Sequence, residues 1–581
     1  MAGAEELVQR AVHALEAGGL AIWIKRGLVA ASVVGLAVYY LWPGHFRGLA
    51  TSQAMDQAQI GRAIASGKGW RTNFIRPRAV GQLQAHGRDV TQKIWYDTYN
   101  APLPPLVDAI ALLPVKAHWK MTNREFVYAG DKAVAAMSVF LFICSIAVLF
   151  FTARRLFDQR LALLACGLVL LSDTFWQYSL SGLPQTLLLL LFNGTIYALV
   201  RAVEKHYAGG ATWIWLIAVG GGFGLLALSH ALTLWVFGAA LIFSVFFFRP
   251  RVSAAGIVLA TFVIVYVPWL IRTYLFCGNP GGVAIYSVLN GTVHNEAGWM
   301  RRVDLNLEGV VPGAFRDKII TNLTSQAGHI FEYFGLSIVA MMFFAGLLYP
   351  FKRRETAVLR WMLLAMWGGA VLGMALYGIN EELGVAANQL HLIFIPLMTC
   401  YGLAYLLVQW NRLSIDIPVA RVGFIALLYL LCALPMIFGT PWLAPPKSLV
   451  RWPPYVPSAI SILNDWMKPE EVTASDMPWA IAWYADRRSL WLPDTPKSFA
   501  AFGDYSILGA PVTGLYLTPV SGTDNTFRDI VKGEYREWGA VIGRYRVLEQ
   551  FPLKWSTSVL GVENECVFFS DRDREHASPT P

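Results

Sequence analysis

The sequence predicts a mainly α-helical membrane protein: a polytopic bundle of about eleven spanning helices with a small C-terminal α/β domain. Two observations predict this fold class. Of the 581 residues, 56% are hydrophobic and only 15% are charged, whereas soluble globular proteins have about 25% charged residues. Charged residues are also uneven, at about 12% of residues 1–450 and about 23% of residues 451–581. This composition excludes an ordinary soluble enzyme, a disordered scaffold and a disulfide-stapled secreted module.

Eleven apolar segments have about the length that a membrane-spanning helix requires. They lie at residues 27–43, 133–152, 161–178, 183–200, 212–228, 230–248, 254–272, 332–350, 358–377, 390–409 and 422–440. If the N-terminus is inside, every predicted inside turn contains Lys or Arg, while the short outside turns contain neither. This agrees with the positive-inside rule. We therefore expect a multi-pass protein of the inner membrane, with a cytoplasmic N-terminus and a periplasmic C-terminal domain.

The spans divide the chain into three parts. Residues 1–26 are expected to form a cytoplasmic amphipathic N-terminal helix, residues 27–440 the membrane domain, and residues 441–581 the soluble α/β domain. Two outside segments are long, and we name residues 44–132 the first long loop and residues 273–331 the second long loop. Loops longer than about 12–15 residues are usually functional or disordered.

The first long loop contains two candidate helices. Residues 54–65 can form one of them. The apolar run between Pro104 and Trp119 is too short to span a bilayer, so we expect it to lie in the membrane interface. The same loop is cationic, because residues 44–104 contain eight Lys and Arg against three Asp.

The cations of the first long loop have two interpretations. They can belong to a solvated loop, because long loops escape the charge rule. They can also form a site for an anion at the membrane surface, such as a lipid phosphate. The net charge of +9 does not indicate a nucleic-acid partner, because most of the excess cations flank apolar runs.

Asp56 lies just after the first predicted span, within Ser52-Gln53-Ala54-Met55-Asp56. An Asp near a helix start is commonly a cap or a partner of the helix dipole. A carboxylate at the bilayer surface beside phosphate-binding cations can also act as a general base toward an acceptor hydroxyl. Both interpretations remain open from position alone.

An ordered set of short motifs accompanies Asp56. The set comprises Ile75-Arg76-Pro77, Tyr99-Asn100-Ala101-Pro102-Leu103-Pro104-Pro105-Leu106, Phe151-Thr152-Ala153-Arg154-Arg155-Leu156-Phe157, Tyr178-Ser179-Leu180-Ser181-Gly182, Pro268-Trp269-Leu270-Ile271-Arg272 and His391-Leu392-Ile393-Phe394-Ile395-Pro396-Leu397. In order and spacing it resembles the GT-C membrane glycosyltransferases. Within them it is most similar to the bacterial family 39/83-like enzymes, relatives of the protein O-mannosyltransferases and of the lipid A aminoarabinose transferase. The resemblance covers about residues 27–410.

The resemblance implies a reaction and a set of site residues. The expected protein transfers a sugar, with inversion, from a polyprenyl-phosphate donor to a lipid, glycan or protein acceptor on the outer face of the membrane. Asp56 occupies the position of the general base. The residues expected at the donor phosphate are Arg62, Arg76, Arg78, Lys93 and Arg272, and those expected at the acceptor or sugar are Asp97, Tyr99, Asn100, His294 and Glu296.

A divalent metal is the one cofactor that the resemblance raises. In the lipid A branch a His from the second long loop helps to bind a metal, so His294 and Glu296, with a first-loop carboxylate such as Asp97, form a candidate site. The alternative is that the two loop residues are simply solvated. An alternative also exists for Arg272, because an Arg at the outer end of a span often extends to lipid headgroups.

Three positions depart from the resemblance and keep other functions open. Relatives often have an acidic residue at Gln57, a basic residue at Leu103 and an Asp near Gln185. These departures favour a catalytically inactive assembly subunit with the same fold. A transporter of a lipid-linked anion is the third hypothesis, since it shares the basic cavity but needs neither Asp56 nor an outer domain.

Overall fold

The structure is a computed structural model of the chain. It describes residues 19–42, 46–49, 51–90, 94–121, 125, 127–292, 298–305, 307, 310–382, 384–413, 417–438, 456–503, 508–521, 530, 533–542, 551–558 and 566–575. Residues 1–18 of the predicted N-terminal helix therefore lie outside the described residues, and residues 19–26 belong to the helix Gly19–Leu41.

Apolar helices form the body of the molecule. Within the described ranges, six helices are long and apolar enough to cross a membrane: Ala129–Leu156, Gln185–Tyr207, Arg251–Cys277, Arg354–Tyr377, His391–Arg412 and Pro418–Phe438. The pair Gln159–Leu170 and Asp173–Ser181 passes the same test together and is bent by 58°. Shorter apolar helices lie at Ala30–Leu41 (part of Gly19–Leu41), Trp213–Ser229, Thr233–Phe247 and Ile338–Leu348.

Each of the eleven predicted spans coincides with one of these helical segments, which confirms the predicted helix bundle. The eighth is shorter than expected, because residues 332–350 contain the short helix Ile330–Tyr333, a turn and then Ile338–Ala345, which continues as a 3₁₀ turn at Gly346–Leu348. Gly335 and Leu336 in that turn have positive φ, so the helix cannot continue through them.

Shorter elements cover one end of the bundle. The α-helices among them are Ser52–Ala65, Pro77–Ala85, Leu103–Leu112, Pro312–Gly328, Pro457–Ser461, Leu463–Trp466, Pro478–Ala480, Pro496–Gly503 and Gly539–Ile542, and a π-helical turn lies at Ile481–Ala485. The 3₁₀ turns are Leu113–His118, Val283–Leu289, Trp299–Arg301, Pro519–Ser521 and Arg536–Trp538. The two helices predicted in the first long loop are thus present at Ser52–Ala65 and Leu103–Leu112. We name Ser52–Ala65 the first-loop helix.

The strands form a mixed sheet and a separate hairpin. The sheet strands are β1 Phe74–Ile75, β4 Val472–Ser475, β5 Arg488–Trp491, β6 Val512–Leu517, β7 Trp555–Ser558 and β8 Val567–Ser570, and the hairpin strands are β2 Glu381–Glu382 and β3 Val385–Ala386. The sheet order is β1-β5-β4-β6-β8-β7. Strands β1, β5, β4 and β6 are parallel to one another, and β8 runs antiparallel to both of its neighbours, β6 and β7.

Strand β1 lies in the first long loop, so the sheet is built from two distant parts of the chain. Phe74 pairs with Ser489, and Ile75 pairs with Leu490. The sequence does not predict this pairing, because two residues are too few for the alternating pattern of a strand. The pairing fixes the first long loop against the C-terminal domain.

Buried polar contacts hold the same interface. Arg62 of the first-loop helix donates to the carbonyl oxygens of Ala482 and Trp483, both at 2.8 Å, and pairs with Asp486 at 2.8 Å. Asp131, at the start of the helix Ala129–Leu156, accepts the Trp483 indole N–H at 2.7 Å. Buried charges persist in proteins when they are paired and hydrogen-bonded. The first long loop, the bundle and the C-terminal domain are therefore joined at one place.

A fully buried arginine helps to attach the second long loop to the C-terminal domain. Arg301 is fully buried, and its guanidinium donates to the carbonyl oxygens of Leu492, Pro493 and Glu534 at 2.7–3.0 Å. It also stacks on the Tyr535 ring, 3.7 Å from the ring centre. This contact places the second long loop beside the end of β5, next to the candidate site.

Candidate functional site

Asp56 lies on the first-loop helix, whose start is fixed by two acceptors. The Thr51 hydroxyl accepts from the Ala54 N–H at 3.2 Å, and the Glu382 carboxylate accepts from the Ser52 N–H at 2.7 Å and from its hydroxyl at 2.6 Å. These acceptors satisfy N–H groups that a helix start leaves unpaired. Asp56 itself is not the cap but faces inward and is almost fully buried.

The Asp56 carboxylate accepts three hydrogen bonds. Its Oδ2 accepts from Arg76 Nη2 and from Asn100 Nδ2, each at 2.6 Å, and its Oδ1 accepts from Gln59 Nε2 at 3.1 Å. The Arg76 bond is a buried ion pair. A carboxylate can remain charged at such a depth only with this kind of compensation. The two oxygens differ in their hydrogen bonds, because Oδ2 accepts two short bonds whereas Oδ1 accepts one longer bond.

Arg76 is held rigidly between two rings. It directly follows β1, and its guanidinium carbon lies 4.0 Å from the ring centre of Phe74 and 3.9 Å from that of Tyr99. Its Nη1 is 3.9 Å from Asp97 Oδ1. The pairing of β1 with β5 and this stacking leave the guanidinium little freedom. Arg76 therefore presents a fixed positive charge to two carboxylates.

Asp97 is the second buried carboxylate of this group. It accepts from the backbone N–H of Asn100 at 2.8 Å and from that of Tyr99 at 3.3 Å. Burial, followed by the nearby Asp56 charge, raises the pKa of Asp97 to about 6, although Arg76 opposes the shift. Its backbone carbonyl accepts from Arg272 Nη1 at 3.0 Å. The structure thus brings six of the expected residues together: Asp56, Arg76, Asp97, Tyr99, Asn100 and Arg272.

Asp97 predicts a pH dependence of stability. Because its folded pKa is raised above the value of about 3.9 expected in the unfolded chain, the folded state holds a proton that the unfolded state releases between about pH 4 and 6. The contribution of Asp97 to stability therefore falls as the pH rises through that window. We expect Asp97→Asn to remove this slope from the midpoint of thermal unfolding, measured from pH 4 to 7. Asp465→Asn, at an exposed carboxylate, is the control, and an unchanged slope in Asp97→Asn contradicts the assignment.

A cavity of about 220 Å³ adjoins this group, and we name it the tryptophan cavity. Its wall contains Arg76 and Tyr99 from the first long loop, Asn290 from the second, and Trp479 and Trp491 from the C-terminal domain. Asp56 lies behind Arg76 and is not part of the wall. Aromatic faces beside a cation and amides are suited to a polar ligand with apolar faces, such as a sugar ring.

Glu382 also lines the tryptophan cavity, a position that is not predicted from the sequence. It belongs to the β2–β3 hairpin, which is held in place by Gln185, whose Nε2 donates to the carbonyl oxygens of Ala386 at 3.2 Å and Ala387 at 2.6 Å. Gln185 is one of the positions that depart from the GT-C resemblance, and here it anchors the hairpin that carries an acidic residue. The sequence marks Glu382 only by the adjacent pair Glu381-Glu382 in a short predicted outside turn.

Trp479 and Trp491 were missed for another reason. Their rings lie nearly perpendicular, with centres 5.9 Å apart, and Phe74 contacts both. They reach the site only because β1 pairs with β5, more than 400 residues later in the chain. Composition shows that Trp is abundant, but it does not show which Trp residues meet a first-loop arginine.

The other expected donor-site residues lie elsewhere. Arg62 bonds to Ala482, Trp483 and Asp486 of the C-terminal domain rather than to Asp56. Arg78 donates to the Val303 carbonyl at 2.7 Å and lies 4.9 Å from the Tyr286 ring centre, so it fixes the second long loop. Their roles at a donor phosphate remain predictions. The remaining expected residues, Lys93, His294 and Glu296, lie outside the described residues.

The described residues do not present a metal site. Within them, no group of three His, Cys, Asp or Glu side chains is arranged to hold a metal ion. Asp97, which was expected to contribute a ligand, instead accepts backbone N–H groups at both carboxylate oxygens. The other two members of the candidate set, His294 and Glu296, lie outside the described residues.

Part of the membrane domain matches a protein-family model. Residues 126–271 match the family described as dolichyl-phosphate-mannose-protein mannosyltransferase. This segment includes the bent third span and most of the helix Arg251–Cys277. A search of curated proteins finds no significant match.

Solved structures of an archaeal oligosaccharyltransferase and of a bacterial ArnT are similar in fold to most of this chain. The Archaeoglobus fulgidus oligosaccharyltransferase, in complex with zinc and sulfate, is 14% identical over 89% of this chain and 70% of its own, with a TM-score of 0.54. ArnT from Cupriavidus metallidurans, bound to undecaprenyl phosphate, is 12% identical over 94% of this chain and 98% of its own, with a TM-score of 0.52. The chain has the GT-C fold. The same archaeal enzyme, AglB, in complex with an inhibitory peptide and a dolichol-phosphate, gives 14% identity over 89% of this chain and 72% of its own, with a TM-score of 0.51.

The GT-C fold confirms the fold class expected from the sequence. Together with the apolar helices, it identifies a multi-pass membrane protein. At 12–14% identity, the likeness to these structures concerns the fold.

Proposed function

We propose that this protein is a GT-C glycosyltransferase that moves a sugar from a polyprenyl phosphate to a lipid, glycan or protein acceptor at the outer face of the inner membrane. The N-terminus is then cytoplasmic, and the C-terminal domain is periplasmic. The single observation that carries the proposal is the buried Asp56–Arg76 pair beside the tryptophan cavity. The match over residues 126–271 and the lipid phosphates named with AglB and ArnT support the donor class.

In this proposal Asp56 is the general base. Its Oδ2 stays bonded to Arg76 and Asn100, which keep the carboxylate oriented. Its Oδ1, with the longer bond to Gln59, exchanges that bond for the acceptor hydroxyl and takes its proton. The acceptor oxygen bonds to the anomeric carbon while the bond from that carbon to the phosphate oxygen breaks. This single displacement inverts the anomeric centre, and base catalysis of this kind contributes about 10²–10⁴-fold.

We assign the donor phosphate to Arg272, which lies at one side of the residue cluster around Asp56. Arg272 stands near the end of the helix Arg251–Cys277 and stacks on Trp269, 4.6 Å from the ring centre. The Asp97 carbonyl accepts one of its five guanidinium N–H donors. Much of this helix is exposed in the structure, which suits access by a lipid tail. Arg272 and Arg76 can then stabilise the leaving phosphate.

The tryptophan cavity is assigned to the transferred sugar. We expect Trp491→Ala to raise KM for the donor by up to about tenfold, because aromatic contacts contribute about 0.5–1.5 kcal/mol beyond their buried area. Initial rates at varied donor concentration measure this. Trp555→Ala removes an exposed Trp from β7 of the same sheet and serves as the control. If the two variants have equal KM values, the sugar does not contact Trp491.

One observation favours the second candidate, a non-catalytic subunit with the GT-C fold. The three hydrogen-bond donors described above enclose Asp56, and it forms part of neither cavity wall described for this structure. Incubation of the purified protein with polyprenyl-phosphate sugars and envelope acceptors, with release of polyprenyl phosphate as the readout, separates the candidates. An enzyme releases the lipid phosphate, and a structural subunit does not.

A further inference from the structure

A second cavity lies beside the first-loop helix, and we name it the cationic cavity. Its volume is about 420 Å³, within the range of about 300–1,000 Å³ that is typical of small-molecule sites. It borders the C-terminal half of the helix, at Gln59 and Arg62, whereas the tryptophan cavity meets the N-terminal end at Ser52 and Gln53. The proposed reaction places the transferred sugar in the tryptophan cavity and leaves the cationic cavity without a ligand.

The walls of the cationic cavity carry an excess of positive charge. The lining includes five cationic side chains and one carboxylate: Arg62, Lys68, Arg71, Lys120, Arg488 and Asp486. The carboxylate of Asp486 already pairs with Arg62 at 2.8 Å and accepts from Asn73 at 3.1 Å. Lys120 pairs with Asp465, which is not among the lining residues, at 3.3 Å, and both side chains are exposed. The lining therefore supplies no further carboxylate to neutralise the charges on Lys68, Arg71 and Arg488.

The lining residues also contain unused hydrogen-bond donors. Arg71 Nε, Arg488 Nη1 and the indole N–H of Trp95 are buried and have no acceptor in the part of the chain that the structure describes. An unpaired buried donor costs about 1–3 kcal/mol. All three atoms are donors and cannot accept. Acceptors from a ligand would remove this cost, and phosphate oxygens match guanidinium groups in both geometry and charge.

Gln59 connects this cavity to the proposed chemistry. It lines the cavity, and its Nε2 donates both to Asp56 Oδ1 at 3.1 Å and to Thr72 Oγ1 at 2.7 Å. Asp56 Oδ1 is the oxygen assigned above to the acceptor proton. A group that enters the cationic cavity thus approaches Asp56 from the side of its most weakly held bond.

We propose that the cationic cavity binds a phosphate-type anionic group of the acceptor and so delivers the acceptor hydroxyl to Asp56. This inference rests on the proposed glycosyltransferase function. It separates the two substrates, with the donor phosphate at Arg272 and the acceptor anion at Arg71 and Arg488. The acceptor class that follows is a phosphorylated glycan or glycolipid.

Calorimetric titration of inorganic pyrophosphate tests this assignment. The full-length protein is placed in phosphatidylcholine nanodiscs at fixed ionic strength. We expect Arg71→Gln to weaken pyrophosphate binding at least tenfold, since its side chain makes no hydrogen bond to the described residues and its loss leaves the fold intact. Lys497→Gln, which removes the same charge from an exposed site in the C-terminal domain, is expected to bind as the wild type does.

Two further titrations identify the source of the anion. Polyprenyl phosphate is expected to bind Arg71→Gln and wild type equally, and nanodiscs that contain phosphatidylglycerol are expected to leave pyrophosphate binding intact. The inference is overturned if wild type binds no pyrophosphate or if Arg71→Gln binds it normally. It is also overturned if polyprenyl phosphate binding falls in parallel, which gives the cavity to the donor, or if phosphatidylglycerol displaces the probe, which gives it to a membrane lipid. Asp56→Asn should retain pyrophosphate binding, so loss of turnover and loss of this site are distinguishable.

Discussion

Asp56→Asn is expected to lower the rate of sugar transfer by about 10²–10⁴-fold, the contribution of a positioned general base. The substitution keeps the size of the side chain and one carbonyl oxygen, so Asn100 can still donate to it. It removes the negative charge that Arg76 neutralises at 2.6 Å and the oxygen that takes the acceptor proton. Release of polyprenyl phosphate from a labelled donor measures the rate, and titration of polyprenyl phosphate shows whether the site remains folded.

Asp108→Asn is the matched control for that experiment. Asp108 lies on the neighbouring helix Leu103–Leu112, is also buried, and has one carboxylate oxygen with no partner among the described residues. Burial raises its pKa well above the usual range, so an amide is a close substitute for its protonated form. We expect it to retain wild-type turnover. If Asp56→Asn turns over as fast as Asp108→Asn, Asp56 is not the base, and the non-catalytic subunit becomes the better description.

Apart from Arg272, which bonds to Asp97 across 175 positions, the parts of the site that the sequence predicts are formed by local segments. The Asp56 helix and the Tyr99-Asn100 motif fall within one loop, and Arg76 follows Ile75 in a motif of its own. Their hydrogen bonds join residues no more than 44 positions apart. Apolar length and the distribution of Lys and Arg likewise predict the helices of the bundle, because both patterns are properties of continuous segments.

The parts that escape prediction depend on contacts between distant segments. Glu382 caps the first-loop helix across 330 residues, and Arg62 reaches Trp483 across 421. An Arg on a loop helix has the same sequence signal whether it binds a phosphate or a backbone carbonyl. Contacts between distant segments, such as the pairing of β1 with β5, distinguish the two: Arg62 meets the C-terminal domain, and Arg76 meets Asp56.

Arg76→Gln is expected to destabilise the protein by about 3–5 kcal/mol, the cost of leaving a buried charge without its partner. Among the described residues, Arg76 is the cation that pairs with both Asp56 and Asp97, at 2.6 and 3.9 Å. The reduction should appear in the midpoint of thermal unfolding and should exceed that of Arg316→Gln, which removes an exposed Arg from the second long loop. A change in Arg76→Gln no larger than in this control contradicts the prediction.

A double-mutant cycle shows whether the cost comes from charge or from lost stacking. If charge dominates, Asp97→Asn in the Arg76→Gln background removes one of the two uncompensated carboxylates, and the double variant should be more stable than the sum of the single effects predicts. Residues in direct contact typically show coupling of about 0.5–3 kcal/mol. If lost stacking on Phe74 and Tyr99 dominates instead, the two effects add. The cycle therefore decides whether Arg76 acts at this site mainly as a counter-charge, which is the role that the proposed mechanism requires.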